Sequence, residues 1–121
     1  MLNDLALNCA DAWPVHDRYV FGDARLLNGV AICDHDFDAL AGAAPPGPRG
    51  WEGFFELYHL DRQPWAYAPW AIVDLATFVD RLDIAAPALD VGPESLARID
   101  VLMTYLKAKR AAGEAVYMQR R

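Results

Sequence analysis

Apolar residues recur at helical spacing in two long stretches of the chain. Over Pro69 to Leu82, the residues Ile72, Leu75, Ala76, Val79 and Leu82 fall on one stripe, and Pro69 suits a first helical position. Over Pro93 to Ala112, Leu96, Ile99, Leu102, Met103 and Leu106 form a stripe of the same kind. The ends agree with it: Gly92 suits an N-cap, Pro93 the first position and Glu94 the positive helix end. Val91 and Leu96 form a staple, and Gly113 is a left-handed stop after Lys107, Lys109 and Arg110. A second stripe on this helix, Ala97, Val101, Tyr105 and Ala108, needs covering too. The simplest cover is internal, with the preceding helix lying on it; a homodimer seam through Val101 and Tyr105 is the alternative.

Shorter patterns fill the rest. Leu2 to Ala12 suits a helix that ends before Trp13-Pro14. Arg18 to Phe21 reads as a strand, and Arg25 to Cys33 as a second strand interrupted at Asn28-Gly29. Asp34 to Leu40 suits one or two helical turns with Asp34 as cap. Ala41 to Gly50, with three prolines and three glycines, reads as a loop within the domain. Trp51 to Leu60 is the strongest strand candidate, and Glu114 to Met118 a short terminal one. The expected fold is a single α+β domain over residues 1–121, a small, mostly antiparallel sheet covered on one face by the two long helices.

The aromatic distribution changes this picture most. Half of the fourteen aromatic residues lie between Trp51 and Trp70, and on a helix wheel Trp70 falls among the polar positions. Tryptophan and tyrosine suit surfaces that are apolar at one end and wet at the other.

Charge adds a second asymmetry. The chain carries a net charge of −6, and thirteen of its seventeen acids are Asp. Bases gather after Arg98, so the body before it is strongly acidic. Such a surface repels nucleic acid phosphates and favours a basic protein partner. The longest run free of Asp, Glu, Lys and Arg, Gln63 to Val73, is far short of the ~20 residues of a membrane helix. With no basic region ahead of the first apolar stretch, a cytoplasmic location is expected.

Candidate chemistry is sparse. Asp34, Asp36 and Asp38 alternate like the start of a calcium loop, but Ala39 and Pro45 stand where glycine and glutamate belong, so no metal site is expected. His16 stands beside Asp17, His35 between two aspartates and His59 two residues ahead of Asp61, yet no two share the spacing that presents two ligands on one helix face. Cys9 and Cys33 read as buried thiols rather than a bridge or a nucleophile. No phosphate loop, nucleophile elbow or cofactor motif is present.

The reading that follows is a small acidic binding domain of the inhibitor, immunity or adaptor type. Trp51, Trp65, Tyr67 and Trp70 would anchor a basic macromolecular partner, and Asp34, Asp36, Asp38, Asp61 and Asp74 would steer it. The alternative is a small hydrolase or transferase, with His35 or His59 as base in an aromatic-walled pocket.

Overall fold

The computed structural model describes residues 18–121; the helix expected over Leu2 to Ala12, together with Cys9 and His16, lies outside the described residues. Four antiparallel strands form one sheet: β1 (Arg18–Gly22), β2 (Val30–Cys33), β3 (Trp70–Ala71) and β4 (Tyr117–Arg120), in the order β2-β1-β4-β3. Four helices accompany them: α1 (Asp34–Ala43), α2 (Phe54–His59), α3 (Leu75–Ala85) and α4 (Pro93–Ala112). The fold class is α+β, as the hydrophobic pattern implies.

Register explains where the core sits. Tyr19 pairs with Ile32, and Phe21 with Val30 on one side and Met118 on the other. Because strand side chains alternate, these residues share one face, and all of them join the helices in the main core. Val20 and Ala31 face the other way and pack with Leu26 and Tyr117. The β1–β2 connection is tied by Asp23, whose carboxylate accepts from the backbone N–H groups of Arg25 and Leu27 at 2.9 and 3.0 Å. Those donors hold the Asp23 carboxyl below its ordinary range. Gly29 is obligatory here for space: a Cβ there would stand 1.7 Å from the Phe21 carbonyl oxygen.

α4 matches its sequence signals, with Pro93 at the first position and Gly113 at φ 69. Its main stripe is buried at Ile99, Leu102, Met103 and Leu106, while Leu96 is exposed. On the second stripe Val101 and Tyr105 are half-buried and pack against the core. Burial raises the Tyr105 pKa.

Two expectations are corrected. Trp51 to Leu60 is not a strand; Phe54 to His59 is helical. Phe54 and Phe55 are both buried, which consecutive residues of a strand with one solvated face cannot achieve but neighbours on a helix can. The second correction concerns Pro69 to Leu82. The helix begins six residues later than its apolar spacing suggests, because Asp74 is the actual N-cap. Asp74 accepts from the Thr77 N–H at 3.3 Å and from the Thr77 hydroxyl at 2.8 Å. Trp70, expected on the polar side of that helix, instead pairs with Met118 in the sheet.

Candidate functional site

Residues 51–74, which include α2, a 3₁₀ turn at Pro64–Ala66 and β3, close around one ring. Phe54 sits 4.5 Å from Trp65, 5.1 Å from Phe55 and Phe78, and 5.4 Å from Tyr58, centroid to centroid. This hub decides which aromatics face inward. Trp65 is 0% exposed, and its indole Nε1 has no hydrogen-bond partner. It offers no contact area, so the anchoring role expected for Trp65 is corrected to a core role. Trp70 is half-buried, 5.1 Å from Trp65.

Other side chains of the segment stay in solvent. Tyr67 is 87% exposed and Trp51 is 42% exposed, with Leu60 and Val73 also open. Trp51 is held in place by His59, whose ring lies 4.0 Å away at 35°. Val73 crosses over Gly53, its carbonyl 3.6 Å from where a Cβ would stand. Gly53 has φ 59, a backbone that favours glycine. Leu60 and Val73 were missed from sequence because each reads as part of a regular element there; their exposure comes from where α2 stops and α3 starts.

The aspartates divide in the same way. Asp61, in the middle of the segment, and Asp74, at its end, are exposed, both in left-handed backbone. With Glu52 and Glu56 they make four acids against one base, Arg62, between residues 51 and 74. The three alternating aspartates of α1 are instead tied into the protein. Asp34 accepts from Arg120 Nη2 at 3.0 Å. Asp36, 1% exposed, accepts from the Ser95 hydroxyl at 2.7 Å and forms an ion pair with Arg98. A buried, paired carboxylate does not steer a partner, so the surface role expected for Asp36 is corrected to joining α1 to α4. Asp38 Oδ1 accepts from the hydroxyls of Tyr19 and Tyr58 at 2.9 and 3.0 Å. Both phenols are pushed well above the ordinary tyrosine pKa, first by burial and then by the Asp38 charge and hydrogen bond.

His35 is largely exposed, with Nδ1 3.7 Å from Asp36, and His59 is engaged with Trp51. Neither lines the two clefts that share Glu52, Phe55 and Thr77, of about 160 and 200 Å³. Cys33 is disulfide-bonded rather than the expected free thiol, and a bonded sulfur is not the thiolate a nucleophile requires. Among the described residues no group of three or more His, Cys, Asp and Glu side chains is placed to hold a metal ion, and no helix is long and apolar enough to cross a membrane. What the segment presents is partly desolvated ring surface beside fixed negative charge. No protein-family model, no curated protein and no solved structure matches the chain.

Proposed function

We propose that this protein is a non-catalytic binding domain whose contact face is the segment from Trp51 to Asp74, and that its partner is a basic protein. The observation that carries this reading is Tyr67. A tyrosine 87% exposed directly after a short 3₁₀ turn, Pro64–Ala66, is large apolar surface left in water. Trp51, Leu60 and Val73 are exposed on the same segment. Rings of this kind are the usual anchors of protein interfaces, and a few of them carry most of the binding energy. Their setting beneath the turn is rigid, because Trp65 and Trp70 are locked around Phe54. A rigid anchor loses little freedom on binding.

Charge supports the partner's sign. Glu52, Glu56, Asp61 and Asp74 lie on the same segment as the exposed rings, which carries one arginine, Arg62, in a chain of net charge −6; Arg49, outside the segment, pairs with Glu52. Complementary charge of this sort raises the association rate and selects against acidic partners. The inhibitor, immunity and adaptor roles all use such a face. The bonded Cys33 favours work in an oxidising compartment rather than the reducing cytoplasm expected from the sequence.

The test is quantitative capture from the native host with immobilised wild-type protein and a Tyr67→Ala variant, followed by affinity measurement on the captured protein. A basic protein held by the wild type and lost by the variant supports the reading.

A further inference from the structure

A different chemistry lies on the loop side of Trp51. Between α1 and α2 the chain doubles back, with the Gly47 N–H donating to the Gly50 carbonyl at 2.9 Å and the Gly50 N–H to the Gly47 carbonyl at 3.0 Å. Gly50 has φ 84, so this tight return depends on glycine. Against the return lies the guanidinium of Arg81, carried on α3. A Cβ at Gly47 would come within 3.3 Å of Arg81 Nη2. The guanidinium thus lies in close contact with the loop at Gly47.

Arg81 is half-buried, and its Nε is covered yet has no hydrogen-bond partner. Among the described residues no carboxylate pairs with it. By contrast, Arg98 and Arg110 of α4 and Arg120 of β4 each form an ion pair within the chain. A guanidinium cannot shed its proton, so its covered Nε–H without an acceptor is unfavourable unless something supplies one. Open space adjoins it: a cavity of about 200 Å³ bounded by Arg81, Arg49, Glu52, Thr77, Trp51 and Phe55. Arg49 stands at its mouth, 3.5 Å from Glu52. Two arginines and one glutamate leave a single positive charge in the lining.

We propose that this cavity binds a monoanionic carboxylate, with the Arg81 fork taking the oxygens, Arg49 screening the mouth and the rings of Trp51 and Phe55 covering the apolar remainder. The planar guanidinium matches a carboxylate in two parallel hydrogen bonds. One net positive charge balances one negative charge, whereas a phosphate dianion would meet Glu52 and a body already negative. The carboxylate belongs either to a free small acid or to the end of a peptide. This inference shares Trp51 and Glu52 with the proposed docking face but rests on Arg81 and the glycine return, which take no part in it.

The experiment is a titration of isotope-labelled protein, followed at the Arg81 Nε–H and the Trp51 indole N–H, with sodium benzoate, sodium hippurate, hippuramide and inorganic phosphate. Both acids should shift the two resonances saturably, and neutral hippuramide should not. Tighter binding of benzoate identifies a free acid, and tighter binding of hippurate, which ends as a peptide does, identifies a chain terminus. Arg81→Gln should weaken the acids at least about tenfold. Arg49→Ala, at a side chain 84% exposed, should weaken them several-fold with the spectrum otherwise unchanged. Equal shifts with hippuramide, tighter binding of phosphate, absence of saturation with either acid, or indifference to both substitutions would overturn the proposal.

Discussion

Tyr19 of β1 and Tyr58 of α2 direct their hydroxyls onto one and the same oxygen, Asp38 Oδ1, at 2.9 and 3.0 Å. The shared carboxylate links the sheet, α1 and the start of the aromatic segment, so the geometry of the exposed rings is set partly from beneath. Both phenols are held protonated by burial and by the Asp38 charge. The folded state therefore binds these protons more tightly than the unfolded chain does. That contribution to stability is complete below the unfolded tyrosine pKa of 10.0 and is lost as pH rises above it. In an alkaline titration, tyrosinate absorbance from Tyr19 and Tyr58 should appear only together with loss of the near-ultraviolet circular dichroism. Tyr58→Phe should cost about 1 kcal/mol at neutral pH and reduce the alkaline sensitivity. Ionisation of both phenols in a still-folded protein near the ordinary tyrosine pKa would contradict this.

Asp36 and Arg98 join α1 to α4 where almost no water reaches, with Ser95 completing the group. Removing one member leaves charge behind without its main partner. Arg98→Ala should lower stability by about 3 kcal/mol in urea unfolding. The double variant Asp36→Ala, Arg98→Ala should cost less than the two single losses added together, because the charge left behind is then gone.

Val101 lies half-buried on the stripe of α4 that from sequence invites a second copy of the chain. In the structure it packs against the core. Val101→Asp should therefore act as a buried-charge substitution and lower stability by about 1–3 kcal/mol. Sedimentation should give the same mass before and after. A fall from a dimeric to a monomeric mass, with stability unchanged, would place the seam there instead.

How much of this was legible in sequence depended on how local the cause is. α4 was legible from Gly92 to Gly113 because its caps, charges and stripe are set by adjacent residues. The start of α3 was not, since Pro69 and Asp74 both carry start signals. Pairing of Trp70 with Met118, a partner far along the chain, settles the choice. The aromatic run at 51–60 reads as β-prone by composition, and burial of Phe54 and Phe55 together makes it helical, an instance of tertiary context overriding propensity. For the candidate face, sequence located the rings and the acids but could not sort them. Trp65 and Tyr67 are two residues apart, and only packing around Phe54 puts one in the core and the other in solvent. Asp36 and Asp61 are separated by the same kind of cause: Arg98, distant in sequence, reaches the first and nothing comparable reaches the second.

The account rests on the exposed rings of residues 51–74 acting as a docking face for a basic protein. Its most direct test is the affinity of the captured partner for wild type, Tyr67→Ala, Trp51→Ala and, as a control away from the face, Ile84→Ala, each at low and high salt. The expected result is at least about tenfold weaker binding for Tyr67→Ala and Trp51→Ala, no change for Ile84→Ala, and affinity that falls as salt rises. Binding that is indifferent to both ring truncations and to salt would contradict it.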